Sequence, residues 1–467
     1  MTFPRALAAL AGLTLLAGQA LAQALPPEVD AALARAKIPR DAVTLLVVDV
    51  DGKTAPRLAH RTGVPVNPAS VMKLVTTFAG LELLGPAYTW ATPVYVEGAV
   101  RDGTLYGNLY IRGLGDPKLV AERLWLLLRR VQGLGIQQIA GDIVLDRSAF
   151  DVAEQDPGAF DGEPLRPYNA SPDALLINYK SVVMTFVPDR TAGTAQLHLE
   201  PPLAGVQVPA SVPLALTDCA DWRGALKADF SDPLRIRFAG SYPTACGERN
   251  WPVAYAAPRN YGTRAVAGMW ASLGGKLSGQ VREGRMPAGL APSFEMQSPA
   301  LAEVIRDVNK YSNNVMAQQL FLTLSLQQKG TGTADGSREL LRQWWTARFG
   351  AADLPVMDNG SGLSRESRIT AQALARMLQG AWASPVMPEL MSSLPITGVD
   401  GTMRRSRARG ASAHLKTGSL RDVAGVAGYV LGASGRRHVL VAIANHPNAN
   451  AMRPAIDALV EWAARDQ

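Results

Sequence analysis

Apolar residues recur at every second position, or in short unbroken runs, at both ends of the chain, and this pattern is typical of β-strands. Near the start, two such runs flank a turn at Asp51-Gly52 and predict a hairpin, after which a helix begins near Ser70. Near the end, three strand-like runs precede a helical run; they are residues 413–420, 423–431 and 437–445, followed by 451–467. We expect the two ends of the chain to complete one antiparallel sheet covered by helices.

The middle of the chain has a different character. Residues 89–290 contain short β-rich runs separated by Gly and Pro turns, so we predict an insertion with its own core. Apolar residues at helical spacing in residues 119–135 indicate a helical piece, and we expect a second domain nested at about 119–167. Residues 23–88 and 291–467 would then form one discontinuous domain.

The first residues have the features of a secretory signal peptide. A positive charge at Arg5 precedes an apolar stretch and the small-residue site Ala20-Leu21-Ala22, so residues 1–22 are predicted to be removed. We expect export, to the periplasm of a diderm bacterium, without a transmembrane anchor. The net charge of +7 would suit a loose association with an anionic wall or membrane surface.

The numbers and positions of cysteine, histidine and basic residues restrict the kinds of site that the chain can form. The two cysteines, Cys219 and Cys246, are expected to form a disulfide because an exported protein meets an oxidising compartment. The five histidines lie far apart without the spacing of metal ligands, so we expect no metal site. No basic run carries interleaved aromatic residues, and nucleic acid is therefore not an expected partner.

One serine and one lysine form the first candidate catalytic pair. Ser70 and Lys73 lie three positions apart at a predicted helix start, so their side chains share one face. Lysine activates a serine hydroxyl only if its pKa is lowered, and arginine cannot do so. The chain has 10 lysines against 37 arginines, which gives a lysine at this position added weight. By itself the pair also fits a helix cap followed by a solvated lysine.

Two further motifs follow in the chain. Ser312 and Asn314 form an S-x-N before a helical run, where the hydroxyl could relay a proton and the amide could hold a substrate backbone. Lys416-Thr417-Gly418, with Ser419, lies in a predicted strand and could bind a carboxylate. Each motif alone is weak, but S-x-x-K, S-x-N and K-T-G in this order are typical of penicillin-binding proteins and β-lactamases.

The chain resembles the class C low-molecular-mass penicillin-binding proteins, which are D-alanyl-D-alanine carboxypeptidases and endopeptidases. The resemblance also covers GLGDPKL, PYNASPDALLIN, CADWRGALKADF, GSYPTACGERNWP and DNGSGLSR. It implies an α+β fold, in which a transpeptidase or β-lactamase-like domain, a five-stranded antiparallel sheet flanked by helices, is interrupted by β-rich inserted domains. The middle motif has Ser-Asn-Asn where the family more often has Ser-Asp-Asn, and both functional side chains remain.

The resemblance implies hydrolysis of D-alanyl-D-alanine termini and of peptide cross-links in peptidoglycan, through an acyl-enzyme. Ser70 would be the nucleophile, Lys73 its base and Ser312 a proton relay. Lys416 would anchor the substrate carboxylate, and the N–H of Ser419 would be the second oxyanion donor. Muropeptides would be the substrates and β-lactam antibiotics covalent inhibitors, and no cofactor is required.

The resemblance also points to residues for substrate choice. Tyr168, Arg365 and Arg421 would recognise the diaminopimelate side chain of a wall peptide, with the arginines on its carboxylate and Glu163 on its amine. Alternatively, these arginines only hold loops in place.

Three alternatives remain open from the residues. Tyr311-Ser312-Asn313 also spells the Y-x-N of class C β-lactamases, which would make Tyr311 the base. A catalytically silent wall-binding protein would retain the same scaffold. His414 alternates to the same face of its strand as Lys416, and a surface histidine accounts for it equally.

Overall fold

The computed structural model describes residues 24–408 and 412–466, so the predicted signal peptide, residues 1–22, lies outside the described residues. The first part of the chain forms a helix, a hairpin and the helix that follows Ser70. These elements are α1 Pro27–Arg35, β1 Val43–Asp49, β2 Leu58–His60 and α2 Lys73–Leu84. Every residue of β1 is buried, which is the burial expected of a central strand covered on both faces.

The inserted region follows α2 and is mostly β-structure. Its first half comprises β3 Ala91–Arg101, β4 Thr104–Arg112, α3 Ala121–Gly133, β5 Gln138–Ile139, β6 Ile143–Asp146, β7 Ser181–Asp189, β8 Thr194–Glu200 and β9 Ser211–Ala215. Its second half comprises α4 Trp222–Leu226, β10 Ala228–Asp229, β11 Arg237–Phe238, β12 Tyr242–Pro243, β13 Arg249–Ala254, α5 Pro258–Ser272, β14 Lys276–Leu277, β15 Val281–Glu283 and β16 Phe294–Gln297.

The last part of the chain is first helical and then returns to the sheet. Its elements are α6 Leu301–Lys310, α7 Asn314–Lys329, α8 Ala334–Phe349, α9 Ala371–Trp382, α10 Met387–Ser393, β17 Ser412–Leu420, β18 Val423–Leu431, β19 Arg437–Asn445 and α11 Arg453–Ala464. No described helix combines the length and the apolarity that crossing a membrane requires.

Strands from both ends of the chain form one five-stranded sheet in the order β17-β18-β19-β1-β2, with all neighbours antiparallel. One face packs against α1 and α11, and the other packs against the helices that include α2, α7 and α9. The predicted α+β fold and the joining of the two chain ends are therefore confirmed.

The inserted region differs from the prediction in its internal nesting. One mixed sheet combines β3–β6 with β14–β16, and a second sheet of β7, β8, β9, β12 and β13 lies between them in sequence. This second sheet spans residues 181–254, whereas the predicted nested domain lies at about 119–167, a range that contains α3, β5 and β6. Helix α3 in that range buries Leu124, Leu127 and Leu128 in an apolar core that both sheets share, so it is not a separate body.

Two details of the insertion bear on the other predictions. β16 pairs with β3, so the sheet of the inserted region continues to Gln297, past the predicted boundary at residue 291. The Cys219–Cys246 disulfide is present, with the Cα atoms 4.8 Å apart, and this prediction is confirmed. The division of the chain into separate folding domains stays a prediction.

Candidate active site

Ser70 lies on a short turn that is fastened to the central sheet. The turn is a 3₁₀ helix over Ala69–Met72, directly before α2. The side-chain amide of Asn445, in β19, makes two hydrogen bonds to the backbone of Asn67: its Oδ1 accepts from Asn67 N at 2.8 Å and its Nδ2 donates to Asn67 O at 2.9 Å. Asn67 Oδ1 also accepts a hydrogen bond from Ala69 N. The asparagine pair therefore holds the nucleophile turn against the sheet.

Lys73 is completely buried beneath Ser70. Its Nζ lies 2.8 Å from Ser70 Oγ and donates to Asn314 Oδ1 at 2.6 Å and to the carbonyl oxygen of Ser361 at 2.6 Å; these two donated bonds use both N–H groups of a neutral amine and leave its lone pair free to accept the Ser70 proton. Burial, together with the positive charge of Lys416, holds the pKa of Lys73 well below its usual value. No carboxylate is among its hydrogen-bond partners in the described chain, so the neutral amine is favoured and can accept a proton.

The Ser361 carbonyl belongs to the glycine-rich segment 358–365. This segment packs so closely on the nucleophile turn that a Cβ at Gly362, whose φ is +74°, would lie 1.9 Å from Ala69 O. Thr76 Oγ1 donates to Gly360 O at 2.6 Å and ties the same segment to α2. The sequence contained this motif, but a backbone carbonyl has no side-chain signature, so its contact with Lys73 was not predicted.

Ser312 and Lys416 form a second serine–lysine pair across the cleft. Lys416 is completely buried, and its Nζ donates to Ser312 Oγ at 2.9 Å and to Thr417 O at 2.7 Å. Burial lowers the pKa of Lys416 to about 7. Ser312 has φ +58°, in the left-handed region that costs a non-glycine residue free energy, and this conformation turns it away from the helix that follows.

The edge of β17 is shaped for an extended ligand. Ala413 and Leu415 exchange hydrogen bonds with residues 395–397 on the outer side of this edge strand. Because backbone groups alternate between the two sides of an antiparallel strand, Thr417 and Ser419 point theirs to the same outer edge. A Cβ at Gly418 would lie 2.4 Å from Pro68 O and 3.1 Å from Ser70 N. Glycine therefore lets β17 approach the nucleophile turn.

The geometry separates the two interpretations of the middle motif. Asn313 Oδ1 accepts a hydrogen bond from Met316 N and caps α7, so it serves the helix. The Tyr311 side chain is 68% exposed, whereas the hydroxyl that contacts Lys416 is that of Ser312. These placements favour S-x-N over Y-x-N.

Two of the predicted recognition residues, Tyr168 and Arg365, have partners that the sequence did not indicate. Asn314 Nδ2 donates to Tyr168 O at 3.2 Å, while the Tyr168 hydroxyl donates to Asp161 at 2.8 Å. Arg365 is half exposed, with Nη1 3.6 Å from Asp422 Oδ1, and it also lies over the Phe160 ring at 5.0 Å.

The other two recognition candidates are more peripheral. Arg421 is exposed, and its backbone oxygen accepts a hydrogen bond from Asn450. Glu163 is 56% exposed in its side chain and lies 3.3 Å from Arg166. Asp422 thus already supplies a carboxylate to Arg365, and Asp161 is the acid that orients Tyr168.

A buried charged cluster behind the cleft was not predicted. Lys310 Nζ lies 2.5 Å from Asp400 Oδ2 and donates to Leu394 O. Half-buried His414, two residues before Lys416, contributes to this cluster; burial is the main cause of its lowered pKa. Thr402 Oγ1 accepts a hydrogen bond from Thr417 Oγ1 at 2.7 Å. Lys310 stands within the S-x-N segment, but its distant partner could not be read from the sequence.

Comparisons with known proteins agree with this geometry. The chain is 28% identical over 419 residues to a D-alanyl-D-alanine carboxypeptidase of Actinomadura sp. (strain R39), covering 83% of this chain and 75% of that protein. It is 25% identical over 400 residues to the D-alanyl-D-alanine carboxypeptidase DacB of Haemophilus influenzae, covering 81% and 80%.

A solved structure supports the same fold. The crystal structure of penicillin binding protein 4 (dacB) from Haemophilus influenzae superimposes with a TM-score of 0.71 at 21% identity, over 93% of this chain and 99% of that one. The profile of the D-Ala-D-Ala carboxypeptidase 3 (S13) family matches residues 25–466. Because that match spans nearly the whole chain, the protein belongs to the D-Ala-D-Ala carboxypeptidase 3 (S13) family.

Proposed function

We propose that the protein is an exported serine D-alanyl-D-alanine carboxypeptidase and endopeptidase that trims peptidoglycan. The observation that carries this proposal is the 2.8 Å contact between Lys73 Nζ and Ser70 Oγ in a buried setting that favours the neutral amine. Family membership supplies the substrate class, a peptide that ends in D-alanyl-D-alanine or is cross-linked through D-alanine. The periplasm is the proposed compartment, and a signal peptide at residues 1–22 would direct export.

Acylation follows from the positions of the side chains. Lys73 takes the proton of Ser70 as Ser70 Oγ attacks the carbonyl carbon of the penultimate D-alanine. The N–H groups of Ser70 and Ser419 would hold the oxyanion, since Ser419 points to the open edge of β17. When the C–N bond breaks, Ser312 relays a proton to the leaving amine. One proton thus leaves Ser70 and one arrives on the amine, while the acyl group stays on Ser70.

The second serine–lysine pair, Ser312 and Lys416, anchors the substrate. The Lys416 ammonium attracts the substrate carboxylate together with the Thr417 and Ser419 hydroxyls. Because Lys416 donates its hydrogen bond to Ser312 Oγ, the Ser312 hydroxyl can still donate its own proton to another group. Asn314 bridges Lys73 and the Tyr168 carbonyl, so it positions the base and one wall of the cleft together. Water then attacks the acyl-enzyme, and the ester bond to Ser70 breaks to release the shortened peptide.

Residues at the edge of the active-site cleft would recognise the stem peptide. We propose that Arg365 and Arg421 bind the carboxylate of a diaminopimelate side chain beside Tyr168, and that Glu163 attracts its amine. To bind the substrate carboxylate, Arg365 would give up its ion pair with Asp422, in which Nη1 and Oδ1 are 3.6 Å apart. This ion pair is exposed, so its loss costs little free energy.

The direct test is covalent labelling. A labelled penicillin, whose strained amide and carboxylate mimic the D-alanyl terminus, should acylate Ser70, and Ser70→Ala should remove the label completely. Ser392→Ala, on the exposed part of α10, is the matched control and should label normally. Labelling of Ser70→Ala at the normal level would refute the nucleophile assignment.

The rate of deacylation, the second half of the reaction, distinguishes a peptidase from a β-lactamase. A peptidase should hold the penicilloyl group far longer than a peptide acyl group, because the retained thiazolidine cannot diffuse away and blocks water. Rapid catalytic hydrolysis of penicillin, with no hydrolysis of D-alanyl-D-alanine peptides, would favour the β-lactamase.

A further inference from the structure

The outer edge of β17 borders a large cavity on the side that faces α11. The cavity has a volume of about 920 Å³, and Thr417 and Ser419 of β17 line it. Thr402, Arg404 and Arg405 of the preceding segment also line it, with Thr402 hydrogen-bonded to Thr417, and Arg453 stands at the start of α11. The cavity therefore lies on the α11 side of β17, whereas Ser70 and the Lys416 side chain lie on the other side, and the two sides meet at the open edge of the strand.

The cavity is positively charged. Arg404, Arg405 and Arg453 are exposed, and within the described chain none of their side chains forms an ion pair or a side-chain hydrogen bond with another residue. One carboxylate, that of Asp457, also lines the cavity, but it accepts hydrogen bonds from Ser406 Oγ at 2.6 Å and Arg407 N at 3.2 Å. The guanidinium groups are thus available to an anionic ligand.

The position of the cavity corresponds to the leaving-group side of the reaction. The proposed stem-peptide contacts, Arg365 and Arg421, lie beyond the C-terminal end of β17, past Ser419. Thr417 and Lys416, the proposed anchors of the leaving carboxylate, lie on the other side of Ser419. A substrate that runs along this edge therefore places its leaving group beside Thr417 and Thr402, which are hydrogen-bonded to each other, and the leaving group reaches Arg404 and Arg405 by crossing the strand edge into the cavity.

The two proposed reactions have different leaving groups. A carboxypeptidase releases one D-alanine, which is far smaller than this cavity. An endopeptidase releases the side-chain amine of a second stem peptide, which is long and has several free carboxylates. Arginine binds carboxylates in a bidentate geometry, so unpaired arginines on this side match the second leaving group.

We propose that this arginine-lined cavity is a subsite for the carboxylates of the leaving stem peptide and directs the enzyme toward cross-link cleavage. The inference rests on the proposed function and specifies its substrate. The arginine contacts do not alter the chemistry at Ser70; they add binding free energy that only a cross-linked substrate can use.

The test compares two substrates and two variants. The double variant R404Q/R405Q should lose at least about tenfold more kcat/KM on a cross-linked muropeptide dimer than on a monomer ending in D-alanyl-D-alanine. Arg407→Gln is the matched control, because it changes a neighbouring arginine that does not line the cavity. It should leave both values within about twofold, the size of effect usual for a surface substitution.

A chemical change in the substrate tests the same contact from the side of the ligand. Amidation of the carboxylates of the leaving stem should slow the unmodified enzyme on the dimer, and R404Q/R405Q should then add no further loss. Equal losses on dimer and monomer, or equal rates on amidated and free dimers, would overturn the subsite. If the unmodified enzyme cleaves neither substrate and penicillin does not label Ser70, the proposed function itself fails.

Discussion

The ammonium of Lys310 lies 2.5 Å from the carboxylate of Asp400, directly below the loop that carries Ser312. Asp400 also accepts a hydrogen bond from Ile396 N, and Thr402, two residues later, is hydrogen-bonded to Thr417. Burial opposes ionisation of Asp400, but the hydrogen bond from Lys310 keeps its pKa below the usual value. The Lys310–Asp400 pair therefore links the segment that carries Ser312 to β17, the strand that carries Lys416 and Thr417.

Asp400→Asn should disturb this link. Loss of the counter-ion of a buried ammonium should lower the free energy of unfolding by about 1–3 kcal/mol and slow penicillin acylation of Ser70, since Ser312 would lose its support. Stopped-flow acylation and chemical denaturation measure the two effects. Asp335→Asn removes a partner that is 93% exposed and should change neither. Normal acylation by Asp400→Asn would show that the pair does not position Ser312.

Lys73→Arg should inactivate the enzyme nearly as completely as Lys73→Ala. Arginine keeps the positive charge but cannot accept a proton, so acylation should slow by about 10²–10⁴-fold. The rate of penicillin labelling measures the effect, and thermal unfolding confirms that the variant is folded. Lys329→Arg, at the exposed end of α7, is the control. Substantial activity of Lys73→Arg would mean that Lys73 acts only as a charge.

Lys416 should make stability increase with pH. Its pKa is lowered to about 7 in the folded protein by burial, against about 10.5 when unfolded. Between these values the unfolded state binds the additional proton, so the free energy of unfolding should rise by about 2–4 kcal/mol over this range. Lys416→Met should lose this share of the rise, leave the share that the buried Lys73 contributes, and be the more stable protein at pH 7. Parallel pH profiles of the two proteins would contradict this assignment.

Arg365→Ala should change substrate choice more than catalysis. Activity on peptides with a diaminopimelate side chain should fall about tenfold, because a bidentate contact to its carboxylate is lost. Activity on a short D-alanyl-D-alanine peptide without that side chain should change little. Arg368→Ala, three residues later, whose guanidinium donates to the backbone carbonyls of Arg365 and Ser367, is a control for loop stability. Equal losses of Arg365→Ala on both substrates would assign Arg365 to the fold.

The disulfide should stabilise the inserted region without contributing to catalysis. Cys219 and Cys246 are 27 positions apart, and replacing both with serine should lower the free energy of unfolding by roughly 3 kcal/mol. Denaturant unfolding under oxidising conditions measures this loss, while penicillin labelling of Ser70 at low temperature should be unchanged. Identical unfolding curves for the two proteins would mean that the bond adds no stability.

Local patterns in the sequence determined much of this protein. The three strand-like runs near the C-terminus match β17, β18 and β19 closely, because alternation and apolar runs record which strand faces are buried. Ser70 and Lys73 were recognisable because a proton-accepting lysine must stand one helical turn from its serine. The packing partner of α3 was not recognisable, since the apolar stripe of this helix indicates burial but not what the helix packs against.

Contacts between distant residues were decided only by the tertiary structure. Ser361 lies 288 positions from Lys73, and its contribution is a backbone carbonyl, a group that every residue possesses. The Lys310–Asp400 pair and the Thr417–Thr402 hydrogen bond likewise join segments whose proximity depends on the sheet and its helices. The open edge of β17 beside unpaired arginines exists only once β17 lies at the border of the sheet. Side-chain chemistry can be read from the sequence, but the low pKa of a buried lysine depends on what the folded chain places around it.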